Sequence, residues 1–182
     1  TTEPYGKNGT TMSAAQVIKA AADLYRINPQ VILVFLEKEQ GLVTRTDCPD
    51  WRYNSAIGFG CPDNGSCSRA TANFTAQIDY GVYHLRGYFD DTLTYVPYGV
   101  GSQTVLYNPD TRCSSSTVNI QNRATASLYS YTPYQPNAAT LNWKLGSGPA
   151  VSSAYPSCGA FGNINFFIYF TNWFYTTYTD AY

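Results

Sequence analysis

The sequence predicts a mainly helical α+β domain that is held together by disulfide bridges. Apolar residues recur at helical spacing in six separate segments of the 182-residue chain. Between Thr92 and Thr117 this spacing gives way to Tyr, Val and Thr residues interrupted by glycines, a pattern typical of a β-hairpin. Five cysteines can supply the bridges. No repeat or linker divides the chain, so we expect one domain over residues 1–182, with residues 1–11 as a loose lead-in.

The first two helices have clear start signals, and the second also has a stop signal. A capping-box pair precedes the first apolar series, and an Asn-Pro pair begins a second helix that a glycine ends. These residues are Ser13 and Gln16 for the first helix, and Asn28, Pro29 and Gly41 for the second. Residues 43–68 have no helical period, and their Gly, Pro, Asp, Asn and Cys residues predict a lobe of short strands and turns.

Apolar spacing predicts four further helices in the rest of the chain. The first of them precedes the predicted hairpin, and the other three follow it. Their marker residues are Phe74, Ile78, Val82, Leu85 and Phe89; Ile120, Ala124, Leu128 and Tyr131, ended by Pro133; Ala138, Leu141 and Leu145, between Pro136 and Gly146; and Ile164, Phe167, Ile168, Thr171 and Phe174.

The charge of the chain is low and nearly balanced, with 11 Lys and Arg residues, 12 Asp and Glu residues and a net charge of −1. Such a balance gives no electrostatic reason to bind nucleic acid or an anionic membrane. The longest unbroken apolar run, Val31–Leu36, is far shorter than the roughly 20 residues of a membrane-spanning helix. We therefore expect a monomer with neither a nucleic-acid nor a membrane partner.

Glycosylation sequons and cysteines both predict an extracellular, secreted protein. The three sequons begin at Asn8, Asn64 and Asn73. Disulfides persist in oxidising compartments, which is consistent with five cysteines in a chain of this size. The chain begins with Thr1, so we expect either that a leader peptide has been removed or that this is a piece of a longer chain.

Five cysteines allow at most two bridges within the chain. We predict a short bridge, a long bridge and one unpaired thiol, although four cysteines alone permit three pairings and the others stay open. The predicted pairs are Cys61 with Cys67 and Cys113 with Cys158, and the unpaired residue is Cys48.

Carboxylates are the groups most able to perform chemistry in this sequence. A Ser-His or Cys-His site would need His84, the one histidine, which we assign to a helix surface. The sequence contains neither a glycine-rich phosphate loop nor a paired-cysteine zinc motif. We therefore expect no cofactor and no metal.

Glu39 is the leading candidate for a general acid. It follows Phe35 at helical spacing and so extends a core-facing stripe, in the last turn of a helix whose dipole disfavours a negative charge there. Partial burial acts in the same direction, towards the protonated form that a general acid needs. Two alternatives stay open: Glu39 pairs with Lys38 or Arg45 in a structural role, or Glu37 is the acid.

A second segment places an aromatic residue and a carboxylate among glycines. In Gly58-Phe59-Gly60 the glycines permit a close backbone approach, and Phe59 can stack on the face of a sugar. Asp63 follows three residues later. The alternative is a turn held by a disulfide and capped by Asp63.

Three segments of the chain carry a family resemblance: Lys38–Gly41, Gly58–Asp63 and Ala124–Tyr134. Together they resemble the muramidase domains that actinobacteria and fungi secrete. The helix that ends near Glu39 is also similar to the helix of goose-type lysozymes and lytic transglycosylases, which ends in a catalytic Glu-Ser pair. Gln40 stands in the place of that serine, and Cys61-Pro62 in the place of a Leu-Met-Gln run.

This resemblance implies a lysozyme-like fold and a glycoside hydrolase that cleaves the β-1,4 bond between N-acetylmuramic acid and N-acetylglucosamine in bacterial peptidoglycan. Glu39 would protonate the leaving oxygen, and a second carboxylate would activate water. The candidates for the second carboxylate are Asp63, Asp50 and Asp47, in that order. The expected sugar contacts are Phe59, Gly60, Gln77, Tyr129 and Tyr131, with core packing as the alternative for the two tyrosines.

Two other functions stay open. In a lytic transglycosylase, Glu39 would act alone and the product would be an anhydro-muramyl sugar. In a secreted glycan-binding module, the tyrosines would bind sugars and Glu39 would have a structural role.

Overall fold

The computed structural model describes residues 11–61, 67–146 and 157–175. The described residues form seven α-helices and one two-stranded antiparallel sheet, so the fold is α+β and mainly helical, as predicted. The helices are α1 (Ala14–Tyr25), α2 (Pro29–Gln40), α3 (Asp50–Tyr53), α4 (Phe74–Asp90), α5 (Arg123–Tyr131), α6 (Ala138–Leu145) and α7 (Gly162–Phe174), and the strands are β1 (Gly101–Leu106) and β2 (Ser115–Ile120).

The chain divides into two compact units. Of the described residues, the first contains 11–61, 67–86 and 169–175, and the second contains 87–146 and 157–168. The first unit therefore holds α1, α2, α3 and most of α4. The second holds the hairpin, α5, α6 and the beginning of α7.

Helix α1 begins, and helix α2 begins and ends, where the local signals predict. The Ser13 backbone N–H donates to Gln16 Oε1 (2.8 Å) and the Gln16 N–H donates to Ser13 Oγ (3.3 Å), which completes the capping box of α1. Asn28 accepts from the Gln30 N–H at the start of α2, and Gly41 ends that helix with a φ of 67°. Their apolar faces form the core of the unit with residues of α4; its fully buried large side chains are Ile32, Val34, Phe35, Ile57, Ile78 and Val82.

The lobe of short strands expected over residues 43–68 is wrong for the described part of that range. It contains turns and the four-residue helix α3, and no strand. Side chains from elsewhere in the unit satisfy its backbone groups: Glu37 binds the amides at its start, and Gln77 binds those near its end. These four amides therefore have partners without a neighbouring strand.

The predicted hairpin is present in the second unit. Strands β1 and β2 pair antiparallel from Gly101 opposite Ile120 to Leu106 opposite Ser115. The buried side chain of Gln135 donates to Val105 O (2.8 Å) and ties the hairpin to the chain that follows α5. Ile120, which the apolar spacing assigned to the next helix, is instead the last residue of β2, and α5 begins at Arg123.

The last helix, α7, buries a different set of residues from the predicted stripe. Ile164, Phe166 and Phe170 are buried, whereas Phe167 is 47% exposed. A helix this rich in aromatic residues has no single apolar face, so apolar spacing alone does not fix which side packs inward.

Both predicted disulfides are confirmed. Cys61 bonds to Cys67 and Cys113 bonds to Cys158, and Cys48 is a free thiol. In the described part of the chain, no helix combines the length and the apolar character that crossing a bilayer requires.

Candidate functional site

The Glu39 carboxylate lies directly against the backbone of Gly58. Glu39 is in the last turn of α2, and its side chain is 29% exposed. A Cβ placed on Gly58 would lie 3.1 Å from Glu39 Oε2, and the φ of Gly58 is +74°. The left-handed backbone favours a glycine here, and a Cβ at this position would press on the Glu39 carboxylate. The helix end and the glycine-aromatic segment, two regions predicted to form the site, are thus brought together.

A lysine holds the other oxygen of the Glu39 carboxylate. Lys38 Nζ contacts Glu39 Oε1, and the Lys38 side chain is only 1% exposed. The ammonium also lies 4.5 Å from the centre of the Phe35 ring. The contact with this buried ammonium fixes the orientation of the Glu39 carboxylate. Of the two predicted alternative partners, Lys38 is the one that pairs with Glu39, because Arg45 instead pairs with Asp47.

Glu37 has the surroundings of a structural carboxylate. It is buried, with 8% exposure, and it accepts hydrogen bonds from the Val43 N–H (3.2 Å), the Thr44 N–H (3.1 Å) and Thr44 Oγ1 (2.6 Å). These bonds fix the chain that leaves the end of α2. Glu37 is thus engaged on both oxygens, whereas Glu39 is partly open to solvent.

The side chain of Gln77 holds the backbone of Phe59 in place. This corrects the prediction that Gln77 contacts the sugar. The side chain is fully buried. Its Oε1 accepts from the Phe59 N–H (3.1 Å) and from the Ile57 N–H (3.3 Å), and its Nε2 donates to Phe59 O (2.7 Å) and Thr71 O (3.0 Å). A buried amide with both ends bonded positions the backbone of Phe59 and does not present a group to a ligand.

Phe59 belongs to a surface of aromatic rings that the sequence did not predict. Its ring is nearly parallel to that of Tyr80, with 6.1 Å between centroids, and lies 4.4 Å from the ring of His84. Tyr83 packs edge-on against His84 at 5.2 Å. We call Phe59, Tyr80, His84 and Tyr83 the aromatic row. Tyr80, Tyr83 and His84 lie three and four residues apart on α4, on the face opposite its buried stripe. This spacing is the sequence signal that could have predicted a shared aromatic surface.

Tyr25 supports the aromatic row from α1. Its ring packs edge-on against Tyr83 at 5.9 Å, and its hydroxyl donates to Asp79 Oδ1 (2.5 Å), a carboxylate with 4% exposure. Burial and this hydrogen bond raise the pKa of Tyr25 well above its usual value. The tyrosine therefore stays a neutral donor and fixes α1 against α4.

The second carboxylate has three candidates with different positions. Asp63 lies outside the described residues. Asp50 is exposed in the first turn of α3, and this helix is bound to the end of α2 because Arg52 Nη1 donates to Gln40 O (2.7 Å). Asp47 is exposed, and the Arg45 guanidinium beside it (2.6 Å) holds the pKa of Asp47 below its usual range.

Gly60, a predicted sugar contact, and Asn73, the one sequon asparagine that the structure describes, both contact neighbouring residues of the first unit. The φ of Gly60 is +65°, and a Cβ there would lie 3.1 Å from Thr71 Oγ1, so Gly60 packs closely on Thr71. Asn73 is exposed, and its side chain accepts from the Ala76 N–H (2.8 Å) at the start of α4. Its glycosylation stays a prediction, and the other two sequon asparagines, Asn8 and Asn64, lie outside the described residues.

Tyr129 and Tyr131 belong to the second unit, on α5. The Tyr129 ring packs edge-on against Tyr98 with 6.2 Å between centroids, and burial raises the pKa of Tyr129. These contacts agree with the packing alternative for Tyr129. Its sugar-binding role, like that of the part-buried Tyr131, stays a prediction.

Two apolar grooves in the first unit are separate from Glu39. One, of about 430 Å³, lies between α1 and α2, and a second, of about 250 Å³, is lined by Leu42, Val43, Tyr53 and Phe74 among others. The ionisable side chains of the larger groove, Lys19 and Asp23, pair with each other at 2.6 Å. Neither groove offers a free acid, so the Glu39 region is the better candidate for chemistry.

In the ranges that the structure describes, no three His, Cys, Asp or Glu side chains are grouped so that they could hold a metal ion. The chain matches no protein-family model, and neither a curated protein nor a solved structure is detectably similar to it.

Proposed function

We propose that the protein is a secreted muramidase that hydrolyses the β-1,4 bond between N-acetylmuramic acid and N-acetylglucosamine in peptidoglycan, with Glu39 as the general acid. One observation carries the proposal: a partly exposed carboxylate at a helix end lies against a left-handed glycine, next to an aromatic ring. The resemblance of three sequence segments to secreted muramidases supports it. The two disulfides are compatible with an extracellular location.

The two oxygens of Glu39 have different tasks in this proposal. Oε1 contacts the Lys38 ammonium, which holds the carboxyl group in one orientation. Oε2 lies on the Gly58 side and carries the proton that passes to the leaving glycosidic oxygen. As the bond breaks, the sugar ring becomes oxocarbenium-like, and the second carboxylate activates water. Asp63 is the first candidate for that base and Asp50 the second.

Glu39→Gln tests the acid, because it keeps the volume and removes the proton. We expect the rate at which the protein clears a suspension of bacterial cell walls to fall by a factor of ~10² or more, with the fold retained. Glu37→Gln is the matched control two residues away. If Glu39→Gln kept most of the activity while Glu37→Gln lost it per folded molecule, Glu39 would not be the acid.

Product analysis by mass spectrometry separates hydrolysis from lytic transglycosylation. Hydrolysis leaves free reducing muramic-acid ends. A dominant anhydro-muramyl product would leave Glu39 as the acid and would exclude a water-activating base.

A non-catalytic glycan-binding module is the second candidate, and the Lys38–Glu39 ion pair favours it. A carboxylate paired with a buried ammonium is a common structural arrangement, and the aromatic row would then bind glycan without cleaving it. Binding to purified peptidoglycan in the absence of any released sugar fragment would support this second function.

A further inference from the structure

We infer that the aromatic row is a subsite for a chain of β-1,4-linked N-acetylated sugars that leads away from Glu39. The inference deepens the proposed function and rests on it for the identity of the ligand. Phe59 directly follows Gly58, against which the Glu39 carboxylate lies, so the row begins beside the acid. From Phe59 it continues over His84 to Tyr83, with Tyr80 alongside.

The chemistry of the row fits a neutral sugar chain. Tyr80 and Tyr83 are 38% and 47% exposed, an unusual amount of aromatic surface on a helix whose opposite face is core. The C–H groups on the face of a pyranose ring pack on aromatic faces, and tyrosine hydroxyls can bond the hydroxyl and N-acetyl groups of the sugar. The row contains no Asp, Glu, Lys or Arg side chain that would select an ionic ligand.

The row is held in place before any ligand arrives. Gln77 binds both the N–H and the C=O of Phe59. Tyr80 and His84 lie one turn apart on α4, and His84 Nδ1 is 2.8 Å from Tyr80 O. Tyr25 supports Tyr83 from α1. Since few of these groups have to be ordered on binding, more of the stacking energy appears as affinity.

Affinity should be measured on the Glu39→Gln background, so that binding is separated from cleavage. The probe is a soluble oligomer of β-1,4-linked N-acetylglucosamine, titrated by calorimetry. We expect Tyr80→Ala and Tyr83→Ala each to weaken binding by about 2–10-fold, and Tyr80→Phe, which keeps the ring, to weaken it much less. Tyr95→Ala is the control, because Tyr95 is 74% exposed and lies in the second unit. Thermal unfolding confirms that each variant is folded.

The outcomes distinguish this inference from the proposed function. If Tyr80→Ala and Tyr83→Ala bind the oligomer as tightly as Tyr95→Ala does, the aromatic row is not the subsite. The same follows if the Glu39→Gln parent does not bind the oligomer, and both conclusions hold whatever the activity of the wild type. If the two variants weaken binding but the wild type releases no sugar from cell walls, the subsite stands and the muramidase proposal fails.

Discussion

Glu37 and Glu39 are two residues apart on α2, and their hydrogen-bond partners give them different roles. Glu37 accepts three hydrogen bonds from residues 43 and 44 and is buried. Glu39 touches a lysine on one side and a glycine on the other, and part of it reaches solvent. At the scale of single residues, the first carboxylate organises the backbone and the second is available for chemistry.

Glu37→Gln should therefore affect stability and leave the chemistry intact. A glutamine has one accepting oxygen, so its NH₂ group faces a donor that a carboxylate oxygen had satisfied. We expect the free energy of unfolding to fall by ~1–3 kcal/mol, measured by urea denaturation. A variant with unchanged stability would show that these hydrogen bonds contribute little to the fold.

The contribution of Tyr25 to the stability of the protein should decline at alkaline pH. Because burial and Asp79 raise the pKa of Tyr25, the folded state keeps a proton that the unfolded chain loses above about pH 10. The contribution of Tyr25 to stability is complete below that pH and declines as the pH rises further. Tyr25→Phe cannot titrate, so its free energy of unfolding should fall less steeply between about pH 10 and 11. Equal slopes in the two proteins would contradict this.

At the scale of elements, the parts that the sequence predicted correctly depend on local signals. The capping box at Ser13 and the end of α2 at Gly41 each involve residues within one turn of a helix. The short strands expected over residues 43–68 were wrong, because some of the hydrogen-bond partners of this segment are distant in sequence: Gln77 follows Ile57 by 20 residues. The aromatic row was missed for the same reason, since it joins a loop residue to α4.

Gly58 can be tested against Gly146, a second left-handed glycine. An alanine at either site has the left-handed backbone cost of ~1–2 kcal/mol. At Gly58 its Cβ also meets Glu39 Oε2 at 3.1 Å, whereas at Gly146 nothing lies within 4 Å. We expect both variants to lose stability, and only Gly58→Ala to lose activity per folded molecule, by ~10–10², as a displaced acid would. Equal activities would show that the contact with Gly58 does not position Glu39.

At the scale of the whole molecule, each compact unit contains one disulfide. Cys61–Cys67 lies in the first unit and joins residues six apart, and Cys113–Cys158 lies in the second and joins residues 45 apart. The sequence predicted both pairs. It could not predict the division into units, because that depends on contacts between residues far apart in the chain.

The two bridges should differ in how much they stabilise the chain. A cross-link acts mainly on the unfolded state, and the chain-entropy estimate is ~4 kcal/mol for the longer loop and ~2 kcal/mol for the shorter one. We therefore expect the Cys113→Ser/Cys158→Ser variant to unfold at a lower urea concentration than the Cys61→Ser/Cys67→Ser variant, with Cys48→Ser close to wild type. The short bridge lies next to the Phe59 segment, so its loss should lower activity more than its small effect on stability implies. If the short-bridge variant were the less stable of the two, strain or residual structure would outweigh loop entropy in this chain.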